Sequence, residues 1–192
     1  QLGVLLEIVG IVGFGLVAST DTGWQAIAPF LFLYGVGVGL ATAQLTGVIM
    51  VDVPMEKTGQ GSGSQSTVRQ IGSALGIAVI GTMLFTGTES SLQDRLDEIG
   101  VPVANQAVIV EAVVDSAGAV IPQISGIVTA TGVDAATADS IGQASGEAFT
   151  DGAQLAAYAA AGFLVLGFLS TFRLGGLAPE PKPAGQSKGK KN

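Results

Sequence analysis

Four apolar runs punctuate the chain, and their lengths set its architecture. Leu2 to Ser19 is broken once, by Glu7; Ile27 to Val51, Gln70 to Thr88 and Gly152 to Phe172 hold no charge at all. A helix rises ~1.5 Å per residue, so crossing a ~30 Å hydrocarbon core takes about 20 residues. The pattern predicts an all-α, polytopic transmembrane bundle with spans over about 2–19, 27–51, 70–88 and 152–172. The first run is slightly short for a span, as expected if the chain is a fragment whose true beginning lies ahead of Gln1. Thr20 to Gly23 form a turn cluster, and Trp24 follows as an interfacial anchor.

Residues 89–151 are not a span. Ser90 to Ile99 reads as a helical continuation of the third run, with Gly100 as its stop. Ala104 to Ala117 is apolar-biased and helical, and Pro122 comes soon after. Asp134 is placed to cap a further helix through Phe149, continuous with the fourth span. The stretch Gly59 to Gly63 reads as a polar, glycine-rich loop leading into the third span, with Ser64, Ser66 or Thr67 as its cap. Leu174 to Asn192, rich in Pro, Gly and Lys, predicts a disordered tail. There is no internal repeat.

Composition sharpens this picture. Charged residues make up 12% and hydrophobic residues 48%, with a mean hydropathy of +0.57, whereas soluble domains carry roughly 25% charged residues. A net charge of −7 argues against a nucleic-acid partner. Cysteine and histidine are both absent. That removes disulfides, thiolate chemistry, imidazole metal sites and the usual neutral-pH general base, and no metal or cofactor is expected.

The charges are segregated. Residues 89–151 hold Glu89, Asp94, Asp97, Glu98, Glu111, Asp115, Asp134, Asp139, Glu147 and Asp151 against Arg95 alone. Lys57 and Arg69 flank the connection between the second and third runs. Arg173, Lys182, Lys188, Lys190 and Lys191 follow the fourth. Basic residues near span ends favour the cytoplasm, and here they fall on alternate sides as four spans require. The connection around Gly59 and the tail 174–192 are therefore expected in the cytoplasm, and the acidic segment 89–151 outside.

A few polar residues in or beside the spans are candidates for function. Arg69 is either a gating or coupling charge at the inner mouth of a pathway or an interfacial arginine that snorkels and sets orientation. Gln70 is expected to work with it as a hydrogen-bonding partner, either to another helix or to a substrate. Glu7, costly when ionised in lipid, must face the bundle, a wet cavity or the interface; its open roles are proton carrying, cation attraction and interfacial placement. Gln44, with Thr42 and Thr46, either lines a cavity or bonds a neighbouring helix. Gly35 and Gly39, and Gly72 and Gly76, are helix-packing pairs at i, i+4 spacing. Gly59 to Gly63 is no phosphate loop, lacking the following Lys-Ser/Thr and a preceding strand.

The block Gly59-x-Gly61-Ser-Gly63 followed by Thr67-Val-Arg69-Gln70-Ile-Gly72-Ser-Ala74-Leu-Gly76-Ile-Ala78-Val-Ile-Gly81 resembles the fourteen-span drug/proton antiporters of the major facilitator superfamily. Val53-Pro54-Met55-Glu56-Lys57-Thr58-Gly59, Leu33 to Leu40 and Ala148 to Gly152 are similar to that family as well. The resemblance covers nearly the whole chain up to Arg173. It implies the last four of fourteen spans of a multidrug efflux transporter in a bacterial plasma membrane, with a cytoplasmic C-terminus. It also implies as partners the lipid bilayer, the missing N-terminal spans, protons and small lipophilic or cationic substrates. The family's N-terminal half, with its coupling motifs, is not in this chain. Two other classes compete. One is a complete four-span subunit that assembles through its glycine faces. The other is an enzyme acting through the acidic segment, which has carboxylates but no His, Cys or coherent metal spacing.

Overall fold

The computed structural model describes residues 1–50 and 53–175, with side chains at 45–50 and 173–175 excepted; every regular element among them is a helix. The helices are α1 (Leu2–Val17), α2 (Trp24–Met50), α3 (Thr58–Ile99), α4 (Val103–Asp115), α5 (Ile121–Ala130) and α6 (Ala135–Gly175), with a short 3-10 turn at Met55–Lys57 ahead of α3. The expected tail falls almost wholly outside the described residues, as do Asp52 and the side chains of Thr46 and Arg173.

Two helices dominate. α3 has 42 residues and α6 has 41, so each runs about 60 Å, roughly twice the hydrocarbon thickness. Each is therefore long enough for a membrane half and a half that projects beyond it. α2, α3 and α6 are long and apolar enough to cross a membrane, whereas α1 is a shorter apolar helix of 16 residues.

α3 starts at Thr58, so the Gly59 to Gly63 segment is helical and not the loop that its composition suggests. Each glycine weakens a helix by about 1 kcal/mol, but the stretch has no proline and follows a helical turn that Thr58 Oγ1 ties back to the Met55 carbonyl at 3.0 Å. Elongating an existing helix adds one hydrogen bond per residue fixed, and glycine does not remove that bond. At its other end α3 stops at Gly100, whose φ of 84° closes the helix with its N–H on Leu96 and Asp97 carbonyls. α6 opens on Asp134, whose carboxylate accepts the Thr137 N–H at 3.0 Å.

The projecting halves of α3 and α6 enclose a core with α4 and α5. Leu92, Leu96, Val113, Ile124, Ala138, Ile141 and Ala148 are buried there. Gln106 pins the α3–α4 corner, donating to Asp97 Oδ1 at 2.6 Å and to the Val101 carbonyl at 2.8 Å. In the membrane halves α1 lies along α2 and also against α6, and α6 lies along α3, while α2 and α3 scarcely meet. The bundle is thus open along one side, between α2 and α3.

Candidate functional site

Three features fix one level across the bundle. Gly152 of α6 sits against Thr88 and the Leu84 carbonyl of α3, so close that a Cβ has no room. Gln154 Nε2 donates to the Ala18 carbonyl at 2.6 Å, tying the α1–α2 turn to α6. Just beyond, Arg95 on α3 bridges two carboxylates of α6, pairing with Glu147 and with Asp151 at 3.0 Å. Ser91 Oγ donates to Asp151 at 2.6 Å and accepts from Arg95 Nε at 3.3 Å. The hydrogen bond to Asp151, with the Asp151, Glu147 and Glu98 charges, raises the Arg95 pKa above its ordinary value against the opposing effect of burial. This clasp stands where two apolar helices become polar.

Below it, from Thr88 back to Arg69, α3 covers about 28 Å, close to the hydrocarbon thickness. Arg69 and Gln70 are exposed there, and so is Gln44 on α2. None of the three has a hydrogen-bond or ion-pair partner among the described residues. Gly72 and Gly76 follow Arg69 and line a groove of about 410 Å³ with Tyr34, Leu75, Phe163 and Leu164, on the open side between α2, α3 and α6.

Glu7 is elsewhere. It lies in the seam between α1 and α2, only 8% exposed. The seam is built on backbone contact. A Cβ at Gly3 would stand 2.8 Å from the Ala41 nitrogen, one at Gly10 would stand 2.7 Å from the Tyr34 nitrogen, and one at Gly37 would stand 2.6 Å from the Glu7 nitrogen. Small residues let two helices approach this closely. Gly35 and Gly39 do not take part: nothing lies within 4 Å of a Cβ built at either, nor at Gly72 or Gly76. The i, i+4 spacing finds a stripe but not its direction. Two residues turn a helix by about 200°, so Gly37 faces α1 while Gly35 and Gly39 face away.

Sequence reasoning missed the Arg95 clasp. Its signal was the lone cation among ten acids, with Ser91/Arg95 and Glu147/Asp151 each at i, i+4; the pairing of the two helices lies 52 and 56 residues apart and is not legible locally.

Long apolar helices clasped at one level, with apolar side chains turned outward below it, define a polytopic α-helical membrane protein. Its relatives are transporters. The multidrug resistance protein Stp of Mycobacterium tuberculosis is 32% identical over 145 residues, 74% of this chain and 26% of that protein. A probable actinorhodin transporter of Streptomyces coelicolor is 33% identical over 84 residues, 44% of this chain and 14% of that protein. The tetracenomycin C resistance and export protein of Streptomyces glaucescens is 28% identical over 101 residues, 53% of this chain and 19% of that protein. The chain is similar, as a distant homologue, to these multidrug efflux transporters of the major facilitator superfamily, and it spans about a quarter or less of their length. No protein-family model matches the chain, and no solved structure matches it significantly.

Proposed function

We propose that the chain is the C-terminal part of a proton-coupled secondary transporter that exports lipophilic or cationic compounds across a bacterial plasma membrane. Its four spans follow the boundaries about 2–19, 27–51, 70–88 and 152–172. The clasped projecting halves lie outside as an acidic cap, and the connection around Lys57 and the C-terminus lie in the cytoplasm. The observation that carries this reading is the homology to resistance and export proteins over 74% of the chain. The side open between α2 and α3 supports it, because a transporter assembled from two bundles needs such a wall.

In this reading Arg69 and Gln70 stand at the cytoplasmic mouth of the pathway, with Gln44 on the wall across from them. Gly35, Gly39, Gly72 and Gly76 face the spans that precede this chain. The experiment is drug efflux from cells or inverted vesicles carrying the full-length protein. Arg69→Ala is expected to impair proton-driven export while leaving membrane insertion intact. Unchanged export would remove Arg69 from the mechanism, and absence of export by the unaltered protein would remove the function.

A further inference from the structure

Glu7 is a mostly buried acid on an apolar helix, with no visible reason in packing to be one. It lies ten residues before Val17, the end of α1 at the level of the clasp, and so about 15 Å into a ~30 Å core, near its middle. It is 8% exposed, and its carboxylate has no hydrogen-bond or ion-pair partner among the described residues. The helices packed on α1 bring no charge to that depth: α2 has none from Trp24 to Gln44, and α6 none from Gly152 to Phe172. Their titratable groups are Tyr34, opposite Gly10, and Tyr158, against Gly15, both nearer the clasp than Glu7. An apolar side chain could occupy the seam without desolvating a polar group.

The geometry also limits what the carboxylate can hold. A Cβ at Gly37 would stand 2.8 Å from Glu7 Cγ, so the stem of the side chain is pressed against the α2 backbone, while its unpartnered carboxylate oxygens are not fully buried. Among the described residues no other Asp or Glu joins it in a group that could hold a metal ion, and hard cations need several oxygens. A proton needs neither room nor further ligands, and it removes the charge whose burial is costly.

We propose that Glu7 is a proton-binding residue of the transporter, its stem held in the α1–α2 seam and its carboxylate left accessible at the seam's edge for proton exchange. This rests on the proton-coupled reading above and assigns the proton to one carboxylate, outside the groove where Gly72 and Gly76 lie.

The test uses the full-length protein in proteoliposomes with an imposed pH gradient and ethidium as the transported probe. Glu7→Gln, which imitates the neutral acid, is expected to fold as stably as the wild type and to bind ethidium, but to lose uptake driven by the gradient. Glu7→Asp is expected to retain part of it. In acid-minus-alkaline infrared difference spectra, the protonated-carboxyl band of the wild type is expected to diminish in Glu7→Gln. Full coupling in Glu7→Gln would overturn the proposal. So would a Glu7→Gln protein as unstable as Glu7→Ala, which would make the carboxylate structural. Should the wild type move no ethidium, the transport reading fails, and the infrared comparison alone decides Glu7: no Glu7-dependent band overturns the assignment.

Discussion

Leu75 and Leu96 belong to the same helix, about six turns apart, yet Leu75 is 62% exposed and Leu96 is wholly buried. The contrast holds for the regions around them. Beyond the Arg95 clasp, α3 to α6 fold around apolar side chains as a water-soluble domain does, removing them from solvent. Below it the apolar side chains, Leu31, Phe32, Ile77, Phe163 and Leu166 among them, point outward, and the helices are joined through glycine backbones. In lipid there is no hydrophobic drive between helices, so close van der Waals packing takes its place. One continuous pair of helices thus carries two kinds of packing, and the side-chain chemistry changes at Thr88 and Gly152.

The largest break in this comparison is expected from Gly37→Leu. The new side chain meets Glu7 and Gly3 backbone atoms within 3 Å and cannot be accommodated by a rotamer change. A loss of about 3 kcal/mol or more is expected, since overpacking alone costs 1–3, read as a collapse of the monodisperse peak of the full-length protein in detergent. Next is Leu96→Ala in the cap, expected to cost about 2–5 kcal/mol through the cavity left in a closed core. Hydrogen exchange should accelerate in α3 to α6 beyond the clasp and leave α1 and α2 unchanged. A uniform acceleration would deny that the two regions are held differently.

Arg95→Met should cost about 1 kcal/mol, because the members of its two ion pairs are 30–44% exposed and such pairs are each worth up to about 1. Added salt should shrink the difference between variant and wild type. Smallest is the Asp134 cap. Its hydrogen bonds with Thr137 hold its pKa below the ordinary carboxylate range. Its stabilisation is therefore complete above the unfolded-state value and fades as pH falls through the lowered one. Acid should lower the protection of the Thr137 amide relative to its intrinsic exchange rate, and Asp134→Ala should abolish that change in protection.

Much of this division was legible in the sequence, and the reasons differ by element. Gly100 and Asp134 announced a helix end and start because those sites depend on local backbone geometry and a nearby side chain. α5 was not foreseen: Pro122 was read only as a punctuation mark after the preceding helix, whereas it sits in the first turn of the next, where its missing N–H costs nothing. The glycine-rich start of α3 was read as loop because propensity was weighed without the helical turn that precedes it. For the candidate site, the apolar setting of Glu7 was plain, but its burial depends on the rotation of α2. The stripes of Gly35/Gly39 and Gly72/Gly76 had a period without a phase. The Arg95 clasp required the antiparallel register of two helices, which no local pattern carries.

The central claim is that one bilayer separates the acidic cap from the connection ahead of α3, and the chain's lack of cysteine makes a direct measurement simple. In a cysteine-free version of the full-length protein, single cysteines are placed at Val103, 76% exposed in the cap, and at Met55, 94% exposed before α3. The account predicts that a membrane-impermeant thiol reagent labels Val103→Cys in intact cells and Met55→Cys only after the membrane is opened. Labelling of both from the same side would contradict it.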